Sequence, residues 1–188
     1  AVTPSLKSRF AYGPAYQHVQ QELVFQAGTS RPRDLLELDA PIITVAGSSQ
    51  AHLLSSLLGQ VTDQASDSES PIIKTQLVTT EDSDSEELLQ QVANGDIAYT
   101  VADSNRLALQ RRRYPNLAVA KTLNEDMPMA WALPLHQDDS VKAALIEYFG
   151  TVHQSGWFTV LEDKYFGHIR QFDYVDSRAF NYAAETAL

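Results

Sequence analysis

Apolar residues come in short extended bursts that alternate with stretches where they recur every three or four positions, the two periodicities of strand and helix. Leu23-Val24-Phe25 is a short extended run after the turn-rich segment Tyr12-Gly13-Pro14-Ala15-Tyr16. Gly28 to Pro32 is a loop, and Pro32 ahead of Asp34-Leu35-Leu36-Glu37-Leu38 predicts a short helical turn, because proline's fixed φ suits a helix start. Pro41-Ile42-Ile43-Thr44-Val45 reads as a β-branched strand. It runs through Ala46-Gly47-Ser48-Ser49 into a helix with Leu53, Leu54, Leu57 and Leu58 on one face.

Asp63 to Ser70 holds no aliphatic residue larger than alanine, so it reads as a solvated loop. Ile72 to Val78 is again extended, and the acidic run Glu81 to Glu87 follows. Acids collect in the first turn of a helix because the N-terminal end of its dipole favours negative charge. The order of Asp, Asp/Asn, Gly and terminal Glu that an EF-hand needs is missing. The helix continues through Leu88, Leu89 and Val92 and stops at Asn94-Gly95. Ile97 to Ala102 is almost continuously apolar, as in a strand buried on both faces, and a helix over Leu107 to Arg113 starts after Asp103-Ser104. Two extended segments, Ala118 to Ala120 and Met129 to Leu133, precede helices over Val141 to Val152 and Phe158 to Tyr165.

This β-α-β-α-β-α-β order predicts an α/β fold with a parallel sheet covered by helices. Ligands of such sheets gather outside the carboxyl ends of the strands. Two places there carry suitable chemistry. Gly47, Ser48 and Ser49 offer backbone N–H groups and hydroxyls at a helix start, a seat for an anion or carboxylate. Asp103 follows a buried strand, where it could meet an ammonium group. The plain alternative for each is capping: Ser49 of its own helix, Asp103 of the next.

Charge narrows the partners. With 14 Lys+Arg against 24 Asp+Glu the net charge is −10, which repels phosphate backbones and anionic lipid surfaces, and Arg111-Arg112-Arg113 is too short to reverse that field. No nucleic-acid partner is expected. No window approaches the roughly 18 to 20 apolar residues of a membrane helix, and Ala1-Val2-Thr3-Pro4 does not read as a leader. Cysteine is absent, which excludes disulfides, thiolate metal sites and cysteine nucleophiles. The five histidines are scattered with no HExxH pattern, so neither metal nor cofactor is expected.

Four segments occur in order: Val45-Ala46-Gly47-Ser48-Ser49, Glu86 to Gly95, Tyr99 to Ser104 and Tyr114 to Ala120. Together with Lys164-Tyr165-Phe166-Gly167-His168 and Phe172 to Phe180, they resemble the solute-binding-protein-like module of the membrane-bound lytic murein transglycosylase F family. The resemblance implies a periplasmic-binding-protein-like fold of type II, belonging to solute-binding protein family 3. Residues 1–38 and 134–170 would form a partial lobe one, 39–133 lobe two, and 171–188 a linker towards a catalytic domain. It also implies a periplasmic module sensing an amino acid or muropeptide, in a parent anchored at the outer membrane and acting on peptidoglycan. In related binders the seat matching Gly47, Ser48 and Ser49 takes the ligand carboxylate, and the acid matching Asp103 takes its ammonium. The arginine those binders place before the Gly-Pro-x-Tyr turn falls on Leu6 here, with Arg9 as the nearby replacement.

The single Glu-Ser pair, Glu69-Ser70, lies in the polar loop, where no apolar cleft would raise its pKa for acid catalysis, so no glycan cleavage is expected of this chain. Two rivals to a sensor module are a free amino-acid-binding protein of an ABC uptake transporter and an interaction domain with a vestigial cleft. An incomplete lobe one would also expose a sheet edge, which favours homo-oligomers or a rearrangement of residues 1–38.

Overall fold

Among the described residues the chain builds two sheets of unequal size. In the computed structural model, residues 2, 7–35, 38–64, 77–135 and 139–166 are described, without the side chains of 60–64. Chain order runs β1 (Phe10–Val19), β2 (Gln21–Gln26), β3 (Ile42–Val45), α1 (Ser49–Gln64), β4 (Leu77–Thr80), α2 (Ser85–Asn94), β5 (Tyr99–Asp103), α3 (Ser104–Gln110), β6 (Leu117–Thr122), β7 (Met127–Pro134) and α4 (Asp139–Gln154). A further helix, α5, spans 157–166.

The larger sheet has the order β4-β3-β5-β2-β6. β3 runs parallel to β4 and β5, as the alternation of strand and helix predicts. β2 is the exception, lying antiparallel between β5 and β6 and making the sheet mixed. Residues 21–26 therefore belong to the larger sheet, and β7 belongs elsewhere. The chain enters this sheet at Gln21 and leaves it after Thr122.

Both faces of the larger sheet are covered. β2 alternates, sending Leu23 and Phe25 to one face with Ile42, Leu54, Tyr99 and Val101, and Val24 to the other with Leu89, Val92, Ala102, Leu107 and Leu117. Helix α2 closes the second face. Its acidic start is a capping box: Asp84 accepts from the Glu86 and Glu87 N–H groups, and the Glu87 side chain accepts from the Asp84 N–H. Its stop is Gly95 in the left-handed region at φ 82. The acidic run is thus a helix start.

β1 and β7 make a separate antiparallel pair. Tyr12-Gly13-Pro14-Ala15-Tyr16, read from the sequence as a turn, lies inside β1, where the ladder slips register on either side of Ala15. A Cβ on Gly13 would sit 3.3 Å from Leu145 Cδ1, so glycine lets α4 come close to the strand. Phe149 of α4 is the centre of this smaller region. It stacks on Tyr16 and Phe158 and meets Trp131 and Tyr148 edge-on. Phe149 is buried, but Trp131 and Tyr148 remain 55% and 60% exposed.

Among the described residues no helix is long and apolar enough to cross a membrane, and no group of three or more acids and histidines could hold a metal ion. The expected linker 171–188, Glu69-Ser70, Leu6 and most of the extended run Ile72 to Val78 lie outside the described residues.

Candidate functional site

The chain passes between the two regions twice, at β1–β2 and at β6–β7, and the two passages lie side by side. Leu123 N–H donates to the Gln21 carbonyl at 2.8 Å, and Gln21 N–H donates to Asn124 Oδ1 at 2.6 Å. The start of α3 is fastened to the first passage: Ser104 N–H donates to the Gln20 carbonyl, and Gln20 N–H donates to Ser104 Oγ. Asn105 reaches over to Gln17 of β1.

Beside these passages the larger sheet ends in polar residues. β5 places Asp103 at its carboxyl end, and β3 leads through Gly47 into the N-terminus of α1. β2, running the other way, brings Gln21 to the same edge opposite Asp103. Gly47 sits at φ 67 with nothing within 4 Å of where a Cβ would be, so the loop turns in open space. Ser48, rather than Ser49, caps α1: its hydroxyl accepts from the Ala51 N–H. Helix starts leave their first N–H groups without intrahelical acceptors, which suits this turn to an anion.

Ser49 is thereby free for another task. Its Oγ accepts from Gln21 Nε2 at 3.0 Å and faces Gln50 Oε1 at 3.2 Å. Gln21 Nε2 also lies 3.4 Å from Asp103 Oδ1, and Gln50 Nε2 donates to that same oxygen at 2.8 Å. Asp103 occupies the capping position of α3 yet makes no side-chain cap. Its carboxylate turns instead into this cluster, buried, with two neutral amides as its donors among the described residues. Such a carboxylate is the feature an ammonium would complete.

Of the residues singled out in the sequence, Ser49 and Asp103 meet around one amide nitrogen, with Gly47 and Ser48 forming the adjoining turn. Arg9 is not gathered there. It is exposed, its guanidinium 5.7 Å from the Phe10 ring, and Phe10 pairs with Pro134 at the far end of β1. At about 3.3 Å per strand residue, that is roughly 30 Å along the strand from the passage. The sequence reading missed Gln21 and Gln50 because neutral amides carry no motif. The usable signal was position, a polar pair opening an apolar strand and a residue beside a seat serine.

A concavity of about 240 Å³ lies at the opposite edge of the larger sheet, lined by Gln26, Asp39, Gly95 and Tyr99 among others. Tyr99 donates its hydroxyl to Asp39 Oδ1 at 2.7 Å, and burial first, then this bond and the Asp39 charge, push the phenol up to about 12. The bond pins the stretch before β3 to the sheet.

No family model matches the chain. It is 84% identical over 188 residues to membrane-bound lytic murein transglycosylase F of Alteromonas mediterranea, covering all of this chain and 40% of that protein. The protein of the same name from Aliivibrio fischeri is 42% identical over 190 residues, again covering all of this chain and 36% of its own length. The chain thus spans about two fifths of the curated relatives it matches. Among solved structures, a putative L-cystine ABC transporter protein from Listeria monocytogenes superposes with a TM-score of 0.71 at 14% identity, over 88% of this chain and 66% of that one. A mutant of ArgBP from T. maritima superposes at 0.67 and 15% identity, over 88% and 66%. The fold is that of the periplasmic binding proteins.

Proposed function

We propose, on the premise that this chain is homologous along its whole length to part of the lytic murein transglycosylase F proteins and has the periplasmic binding-protein fold, that it is a non-catalytic module sensing an amino acid or a muropeptide. The observation that carries the reading is the convergence of Ser49 and Asp103 on Gln21 at the passage between the regions. A ligand ammonium completes Asp103, while a ligand carboxylate takes the turn Gly47-Ser48-Ser49 and the N-terminus of α1. Both groups attach to the larger region, and Gln21 and Asn124 tie that region to the passages, so occupancy biases how the two regions sit. In a longer parent this bias is read by a peptidoglycan-cleaving domain, with the module in the periplasm.

The share of relatives that the chain spans favours a module over a free uptake receptor. The position of Arg9 favours the second reading, an interaction domain with a vestigial cleft, because the usual cationic clamp for a carboxylate is not at the site. Isothermal titration decides between them. A panel of L-amino acids and a murein tripeptide should give saturable heat with at least one member, and Asp103→Ala should remove it. Absence of heat with every member overturns the sensor reading.

A further inference from the structure

Asp103 is already occupied. Its Oδ1 receives Gln50 Nε2 at 2.8 Å and lies 3.4 Å from Gln21 Nε2, so two amides of the protein stand where a ligand's N–H donors would go. Two further atoms make the arrangement unusual. Gln21 is fully buried, yet its Oε1 has no hydrogen-bond partner, and neither does the buried Nδ2 of Asn124, 103 positions on in sequence, whose Oδ1 accepts the Gln21 N–H. Buried polar atoms of side chains are nearly always paired, and a lone acceptor costs its full desolvation. The cluster therefore has one negative charge, one orphan acceptor and donors that are neutral.

We propose that Gln50 is an internal stand-in for the ligand's cation: its amide holds Asp103 and is displaced by a primary ammonium, which donates to Asp103 and to the orphan Gln21 Oε1 together. This rests on the sensor reading and adds to it a specificity rule. An ammonium with three N–H donors and a positive charge can serve both acceptors at once, whereas the Gln50 amide, which is neutral, reaches Asp103 and leaves Gln21 Oε1 without a partner. Gln50, although buried, lies in the first turn of α1 next to half-buried Ser49, so a side-chain rotation is enough to withdraw its amide, while the Gln21 backbone is held by Leu123 and Asn124. Gln50 thus sets an affinity threshold: a ligand must bind Asp103 better than Gln50 does.

The test uses thermal unfolding of the protein with methylammonium chloride as probe against sodium chloride and tetramethylammonium chloride at equal ionic strength. Gln50→Ala leaves Asp103 short of a donor, so its Tm drops in sodium chloride and recovers saturably by several degrees with methylammonium. Tetramethylammonium, which has no N–H, gives no recovery. The unaltered protein moves by less than about one degree, and Gln50→Ala with Asp103→Asn does not recover. Gln50→Met keeps the apolar bulk without the donor and gives the same pattern if the alanine variant folds poorly. For any amino acid that titrates the unaltered protein, Gln50→Ala tightens Kd about tenfold, the worth of one hydrogen bond to a charged group. No recovery in either variant, or equal recovery in the unaltered protein, overturns the proposal. Recovery with methylammonium alongside silence towards every amino acid upholds the stand-in role and sinks only the sensor reading.

Discussion

The two regions of this molecule solve the same problem with unequal means. The larger sheet is covered on both faces, with α1 packing on one and α2 and α3 on the other, and its strands β2 and β5 contribute side chains to both layers. The smaller region has two strands and one covered face, held by a single buried aromatic, Phe149, whose neighbours Trp131 and Tyr148 stay largely in water. A two-stranded ribbon is marginal on its own, and stability is expected to differ across the molecule accordingly. The difference teaches where a binding site can be precise. Asp103, Ser49 and Gln21 are anchored on the region that is packed twice over, and the weaker region is the one left able to move against them.

The sharpest way to break this contrast is Phe149→Ala. Removal of a core phenylalanine costs about 3 to 5 kcal/mol. Here the loss should fall on the smaller region: amide exchange in β1 and β7 should accelerate at least tenfold while β5 amides keep their protection. Equal acceleration in both would show a single cooperative unit. A second contrast comes from alkali. Tyr99 keeps its proton to about 12 in the folded larger region but loses it near 10 when unfolded, so its contribution is complete below pH 10 and fades as pH rises towards 12. Urea midpoints followed through β5 should fall over that window, and Tyr99→Phe should flatten the fall. Next in size, Asp84→Ala removes the capping box of α2 and should cost about 1 kcal/mol, read as a shift in urea midpoint. The smallest effect belongs to Gly13→Ala. Its new methyl is tight only against the flexible end of Leu145, with the Trp131 carbonyl oxygen and Leu145 Cβ at ordinary contact distance, and the lost unfolded-state entropy offsets the crowding, so the change should stay within about 0.5 kcal/mol.

What could be read from the sequence was whatever short-range physics decides. The acids at 81–87, the stop at Asn94-Gly95 and the buried strand expected at 97–102 each follow from a helix dipole, a left-handed glycine or a solid apolar run; the first two stand where expected and the strand runs from Tyr99 to Asp103. The placement of Gly47 to Ser49 and of Asp103 at strand ends was legible for the same reason, because strand ends that lead into helices are visible as composition. What stayed hidden depended on distant pairing. Nothing local in Gln21 to Gln26 says that this strand inserts antiparallel between β5 and β6, roughly 80 to 100 residues away in sequence. Gly13 and Pro14 signal a turn by local statistics, but pairing with β7 and contact with α4 hold them extended. Gln50 could not be assigned from its type, since its role exists only through the oxygen of Asp103, 53 positions on.

Two passages of chain, stitched to each other, also fix how the regions can turn. A body held by one strand can swivel about three axes. With Gln21 bonded across to Leu123 and Asn124, twisting about the strand direction would tear those bonds, and sideways rocking would stretch one tether while slackening its twin. Bending about the line that joins positions 21 and 124 costs neither. The molecule is left with one cheap degree of freedom, so any rearrangement a ligand provokes is a swing along a single arc, and its direction was set by where the backbone crosses.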